Sequence, residues 1–236
     1  VSHEYMRISE DGNVGIGTAV PEQKLHLSHA DTDCQVKIDT HSSTLGDASE
    51  IHFRKSGSDD ASSPGVVEEN DLLGQLRFYG YNSSGTNYDQ GANIQVWVDG
   101  EPNTSSDSSD MPSRMVFSVS DDGSASPSAA LTIKSGGNVG IGETNPDTRL
   151  HVNEQIDVAY SVDNFTTDAN ALLKLENPSG TDTAFATIQF RTGDGCDMFI
   201  GSMNKSGASN DGSFIVANQN TTDIQFLVLD NNSRIS

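Results

Sequence analysis

The sequence is short of apolar side chains, of cations, of cysteine and of any long hydrophobic run, and each shortage excludes a class of protein. Hydrophobic residues make up 33% of the 236 positions, with 22 Gly beside them. A compact domain normally carries about 45–50% apolar residues with glycine counted. One thick core is therefore out of reach. The apolar residues that exist are gathered into β-branched and aromatic runs rather than dispersed, which argues against disorder. The composition predicts thin units that bury their apolar faces against other copies of the chain.

Thirteen basic side chains stand against 34 acidic ones, for a formal charge of -21. Such a polyanion repels phosphate backbones and anionic head groups, so neither nucleic acid nor a membrane surface is an expected partner. No window approaches the ~20 apolar residues of a membrane span, and no charged-then-apolar leader opens the sequence. The first residue is Val1 rather than Met, so the sequence reads as a trimmed piece of a longer product. Cys34 and Cys196 lie far apart and form no C-x-x-C pair; buried free thiols are expected rather than a disulfide. There is also no sustained helical period with caps, no G-x-S-x-G elbow and no Cys/His nucleophile pairing. These absences predict an all-β protein that is not an enzyme, with no catalytic residue and no cofactor.

What the sequence does have is an internal repeat. Met6-Arg7-Ile8-Ser9-Glu10-Asp11-Gly12-Asn13-Val14-Gly15-Ile16-Gly17 returns as Leu131-Thr132-Ile133-Lys134-Ser135-Gly136-Gly137-Asn138-Val139-Gly140-Ile141-Gly142. Pro21 and Leu25-His26-Leu27 return as Pro146 and Leu150-His151-Val152 at the same offset, 137 − 12 = 125. A third copy begins at Asn232-Ser233-Arg234-Ile235-Ser236, at a shorter interval of 235 − 133 = 102. The inserts echo each other as well, Glu50–Arg54 against Thr187–Arg191. Period-two alternation at Val36–Ile38, Leu76–Phe78 and Ile94–Val98 predicts strands there. The Ser/Asp-rich runs 56–64 and 103–110 read as exposed loops.

Within the motif, Val14 and Ile16 alternate with Gly15 and Gly17, giving a short strand with one branched apolar face and one bare face. Gly12, Gly15 and Gly17, with Gly137, Gly140 and Gly142, are expected to admit another backbone at close range. Leu25 and Leu27 repeat the alternation. Four apolar side chains cannot enclose a core, so Val14, Ile16, Leu25 and Leu27, with Val139, Ile141, Leu150 and Val152, are expected to pack around a three-fold axis. A phosphate-binding loop is the competing reading. It fails on spacing, because the fingerprint is G-x-G-x-x-G and this is G-x-x-G-x-G with no helix after it.

The strings "DGNVGIGT…P…KLHL" and "GGNVGIGETNPDTRLHV" resemble the G-N-V-G-I-G-T-x-x-P-x-x-x-L-x-V motif repeated along bacteriophage tail fibres and related host-adsorption proteins. Thr18 follows that pattern, whereas its counterpart, Glu143, departs from it. The resemblance implies an elongated, intertwined homotrimeric fibre in which short β shaft motifs alternate with small β-sandwich or β-prism domains. A C-terminal chaperone domain often completes such proteins; none is read here, so trimer registration would depend on residues beyond Ser236. The implied plan is a shaft motif at 1–27, a β domain with polar loop insertions at 28–130, a second shaft motif at 131–152, a smaller β domain at 153–229, and a third motif opening at 230–236. The implied role is a structural segment of a virion tail fibre that supports or makes attachment to the host cell. Its partners would be further copies of itself, other virion tail proteins and host surface polysaccharide. A tailspike-like polysaccharide depolymerase and a bacterial surface adhesin are the alternatives.

Six His residues invite a metal, since a trimer gathers three copies of each. His26 and His151, however, alternate with the apolar positions, so solvent-facing His is expected and no metal ligand is assigned. Asp59-Asp60, Asp107 with Asp110, and Asp121-Asp122 lack the D-x-[DN]-x-[DN]-G arrangement of a calcium loop and read as turn residues. A glycosidase needs only two well-placed carboxylates, but the sequence singles out no pair. Tyr79, Tyr81, Tyr88 and Trp97, flanked by Asn82, Asn87 and Asn93, are the candidate sugar contacts, with core packing or a trimer interface as the competing role for the same rings.

Overall fold

The computed structural model describes residues 5–82, 88–102, 109–154, 173 and 175, together with strands between 185 and 229. The described residues contain strands and turns without a helix, and no helix is long and apolar enough to cross a membrane. The chain forms two units, Val1–Val67 and Glu68–Ser236. The first division thus falls inside the expected 28–130 domain. The expected third motif at 230–236 and Cys196 lie outside the described residues.

The first unit opens with β1 (Met6–Ile8), β2 (Val14–Ile16) and β3 (Leu25–Leu27), in the order β1-β2-β3. The first pair is antiparallel and the second parallel. The tight turn between β1 and β2 needs a left-handed residue, and Gly12 supplies it with φ 73°. Beyond Ser28 the ladder stops. The strand expected at Val36–Ile38 and the β run at Glu50–Arg54 are exposed and join no sheet. A strand needs a neighbour's N–H and C=O groups, and this unit offers those runs none. Cys34 is exposed for the same reason, contrary to the buried thiol expected. Residues 56–66 close a loop through the Gly57 N–H, which donates to the Gly65 carbonyl at 3.1 Å. Inside it Asp60 accepts from Ser62 Oγ at 2.7 Å and Ser62 N at 2.8 Å, bonds that hold its carboxyl below the usual Asp value.

The second unit contains a six-stranded sheet. Its strands are β4 (Leu72–Tyr81), β5 (Tyr88–Val98), β6 (Ser113–Val119), β7 (Ser128–Ile133), β8 (Val139–Ile141) and β9 (Leu150–Val152), hydrogen-bonded in chain order. All pairs are antiparallel except the parallel β8–β9. The expected boundary at 130/131 falls inside β7, which pairs with β6 on one side and β8 on the other. Strand β7 therefore belongs to insert and motif at once. A second sheet runs β10 (Phe185–Phe190), β11 (Asp197–Asn204), β12 (Gly212–Gln219) and β13 (Ile224–Leu229), antiparallel throughout. Strand β10, which carries the Thr187–Phe190 echo, opens an antiparallel four-strand run as β4 does. In the other insert its topological counterpart is thus Leu76–Phe78 and not Glu50–Arg54.

The polar end of the six-stranded sheet is tied at Asp99, whose side chain is 3% exposed. Lys134 Nζ lies 2.7 Å and Arg114 Nη1 3.3 Å from Asp99 Oδ1, and the Ser135 N–H donates to Oδ2 at 3.1 Å. Arg114 also donates to the Val98 carbonyl at 3.0 Å and stacks 5.6 Å over the Trp97 ring. Burial opposes ionisation of Asp99, yet Lys134 and Ser135 outweigh it and its carboxyl lies below the ordinary value of 3.8. Because the folded value is the lower one, this stabilisation is complete above the unfolded pKa and is lost as pH falls through the folded one. Asp99→Asn is expected to cost about 2 kcal/mol near neutrality. The variant should also flatten the loss of stability below about pH 4 in acid denaturation followed by tryptophan fluorescence.

Candidate self-association surface

In both motif copies the strand register puts the apolar residues on one face. In the first, Met6, Ile16 and Leu27 form one cross-strand row and Ile8, Val14 and Leu25 the next, with Arg7, Gly15 and His26 on the reverse. In the second, Leu131, Ile141 and Val152 form one row and Ile133, Val139 and Leu150 the next, with Thr132, Gly140 and His151 on the reverse. The eight residues expected at the axis therefore share a face in each copy. Within one chain that face is open: Ile16 is 43%, Ile141 45%, and Leu25 and Leu150 each 59% exposed.

The second copy extends this face across the whole sheet. One row runs Leu76, Ile94, Phe117, Leu131, Ile141, Val152, and the next Gly74, Val96, Met115, Ile133, Val139, Leu150. The row between them, on the opposite face, is Gln75, Gln95, Val116, Thr132, Gly140, His151. Burial in the single chain is inverted. Thr132 (1%), Ser118 (6%) and Asn93 (7%) are buried, while Leu76, Phe78, Met115 and Val119 on the apolar face are exposed. Among the described residues Val67 and Val98 are the buried aliphatic side chains, with Pro102 and Pro146 buried beside them in the chain's turns. Leu76, Phe78, Ile94, Val96, Met115, Phe117 and Val119 were legible as strand residues but not as part of the association face; only the register shows that they continue the motif's face.

The reverse face of each motif is closed by the motif's own turn. An added Cβ on Gly15 would lie 2.6 Å from the Thr18 carbonyl oxygen, and on Gly140 2.0 Å from that of Glu143. On Gly17 and Gly142 it would lie 2.0 Å from Ser28 O and 2.1 Å from Asn153 O. The backbone that approaches these glycines thus belongs to the same chain. Gly12 has nothing within 4 Å and Gly137 meets the Arg149 side chain alone, so both serve their positive φ rather than close approach.

The hydrogen bonds of the two copies correspond at the offset of the repeat. Asn13 Nδ2 donates to the Pro21 carbonyl at 3.2 Å and Asn138 Nδ2 to that of Pro146 at 3.1 Å, pinning the turn over the bare face. Gly17 N donates to Tyr5 O and Gly142 N to Ala130 O, each at 3.0 Å. Lys24 Nζ reaches Asp11 O as Arg149 Nη1 reaches Gly136 O. Even the departure at Glu143 keeps the function of Thr18. Thr18 Oγ1 accepts from Val20 N at 3.2 Å, and Glu143 Oε1 from Asn145 N at 2.8 Å. That bond, with one from Asn153 Nδ2, holds the Glu143 carboxyl below the usual range.

His26 and His151 sit on the reverse face, half-buried rather than solvent-facing. His26 Nδ1 accepts from Glu22 N at 3.3 Å, and His151 Nδ1 lies 3.1 Å from Asp147 Oδ1. Among the described residues no group of three His, Cys, Asp or Glu is arranged to hold a metal ion.

The four candidate sugar contacts do not form one patch. Tyr79, Tyr81 and Tyr88 are 50%, 62% and 68% exposed near the β4–β5 hairpin end, on the face opposite the apolar rows. Tyr81 and Tyr88 pair edge to face at 5.4 Å, and Arg77 Nη1 donates to Tyr79 Oη at 3.4 Å. Trp97 is nine residues from Tyr88 along β5, about 30 Å at strand rise, and stacks instead with Arg114.

These features define an all-β protein of short repeated β motifs and antiparallel sheets. No protein-family model matches the chain, and no curated protein matches it. Among solved structures, it is similar to the carboxy-terminal domain of the bacteriophage T5 L-shaped tail fibre, at 16% identity and a TM-score of 0.39, over 86% of this chain and 89% of that one. The same fibre's carboxy-terminal domain with its intramolecular chaperone domain gives 15% identity and a TM-score of 0.40, over 83% of this chain and 59% of that one.

Proposed function

We propose that this chain is a structural segment of a phage tail fibre, a homotrimer located in the virion tail and joined to other tail proteins. One observation supports this above all. The Gly-Asn-Val-Gly-Ile-Gly motif presents the same unfinished apolar face twice, and in the second unit that face spans six strands with no covering layer among the described residues. A sheet with one apolar face must bury it against another element, and large exposed apolar faces mark association sites. Further copies of the chain supply such a face at no cost in matching chemistry, and three-fold closure is the arrangement that the resemblance implies. The role is scaffolding and adhesion rather than catalysis. Sedimentation equilibrium tests the reading: a particle of three 25.1 kDa chains is expected, and a folded monomer at micromolar concentration would refute it.

Host attachment belongs to the same proposal, and the hairpin tyrosines are its contact surface. They lie on the face opposite the apolar rows, the face that assembly would leave outward, so the exposed rings stay available to stack on a surface polysaccharide. Tyr79→Ala, Tyr81→Ala and Tyr88→Ala are each expected to weaken binding of the trimer to host polysaccharide by up to about tenfold. Glycan-array or cell-binding titration reads that loss, and the sedimentation coefficient should not move. Unchanged binding in all three variants would remove the hairpin as the contact surface.

A further inference from the structure

Two unfinished features of this chain complement each other. Strand β4 is an edge of the six-stranded sheet and, among the described residues, is hydrogen-bonded on one side only, to β5. It is ten residues long, and Arg77 is its single charged residue. Edges of that length and apolarity are normally blunted by charge, proline or a covering segment, because their free N–H and C=O groups template another strand. Arg77 forms no ion pair among the described residues.

The other feature is the run Glu50–Arg54, which has strand character but no ladder. Ile51 (68% exposed) and Phe53 (55%) alternate with polar residues, and the Glu50 and His52 side chains touch each other. Contact between residues i and i+2 is what an extended backbone gives. The other free run, Val36–Ile38, has the same kind of contact, Lys37 to Asp39 at 2.7 Å, but its one charged residue is a lysine, whereas Glu50 offers Arg77 a carboxylate. Charge selects Glu50–Arg54.

We infer that Glu50–Arg54 of one copy adds as a seventh strand to the β4 edge of another copy. The inference rests on the proposed self-association and specifies a contact within it. An antiparallel register that sets Glu50 opposite Arg77 also sets Ile51 opposite Leu76 and Phe53 over Gly74. The charges meet on the polar face. Both apolar rows then gain one member in sequence with Leu76, Ile94, Phe117 and with Gly74, Val96, Met115, and the aromatic ring covers the one bare position in its row. Face packing alone would leave the edge and the run unpaired; strand exchange completes both at once.

The test uses the assembled protein with Cys34 and Cys196 changed to Ser. Ile51→Cys is combined with Leu76→Cys, and separately with Phe78→Cys, under mild oxidation. Interchain disulfides, seen as linked chains on denaturing gels with at least half the material converted, are expected for the first pair and much less for the second. Disulfides confined within single chains would overturn the inference, as would none in either pair. Hydrogen exchange on the unaltered protein covers variants that fail to fold. Amides 50–54 should be slowed at least a hundredfold in the oligomer and released when it dissociates; free exchange in the intact oligomer would overturn the inference. The two readings separate cleanly. A trimer without the exchange signature removes the seventh strand and leaves the fibre assignment, whereas a monomer in sedimentation removes both.

Discussion

Ile141→Asp is expected to convert the proposed trimer to single chains. In an isolated chain the position is 45% exposed, and a polar substitution at such a surface site changes stability by less than about 0.5 kcal/mol. Around a three-fold axis the same change buries three carboxylates against Val139, Leu131 and Val152 of their own chains and against one another. Unpaired buried charges cost several kcal/mol each even after relaxation, far more than assembly can absorb. The size of the effect therefore distinguishes the two states. Velocity sedimentation at neutral pH should show the variant as monomer at concentrations where the parent is wholly assembled. Ile16→Asp in the first motif should act in the same sense. A fully assembled Ile141→Asp protein would show that the face is not the axis.

The second large effect concerns the opposite face. Gly140→Ala adds one methyl group where the Glu143 carbonyl oxygen lies 2.0 Å away, and a backbone atom held by the turn cannot yield as a flexible side chain does. Overpacking of this kind costs about 3 kcal/mol. Gly12→Ala is the control. Its φ of 73° is unfavourable to any Cβ, at about 1–2 kcal/mol, but the surrounding space is empty. Urea unfolding at one fixed chain concentration should rank Gly140→Ala well below Gly12→Ala, since subunit concentration otherwise enters the midpoint. Equal losses would show that the turn over Gly140 is loose.

Much of this was legible in the sequence because it is local. A two-residue alternation in Val14-Gly15-Ile16, a turn glycine after Glu10-Asp11, and a ladder that recurs at a fixed offset all lie within one motif. What escaped is decided between distant strands. That Phe117 belongs in one row with Leu131 and Ile94 depends on registers set across three strands and on the extra residues Gly91 and Ala130, which shift the pairing by one. Trp97 and Tyr88 look adjacent to the same polar loops in sequence but stand at opposite ends of one long strand. The glycines misled in a different way: bare positions invite a second chain, yet the backbone nearest Gly15 and Gly140 is the turn three residues on, and that nearest Gly17 and Gly142 is the residue just after the last strand of the same motif. Glu50–Arg54 and Val36–Ile38 have the pattern of strands, and pattern does not supply a partner.

The shared ladder of the two motif copies bears on how such a chain changes over generations. Each copy pins its own reverse face from within, Asn13 to Pro21 and Asn138 to Pro146, while the second copy also joins the insert before it through the β6–β7 ladder and the Asp99 bonds. The interval from one motif to the next is 125 residues for the two described copies and would be 102 to the third copy expected at 230–236. Recombination between motifs would leave those pins in place provided the incoming insert ends in a strand that pairs as β6 does, and the proposed fibre could then acquire a new surface while keeping its axis.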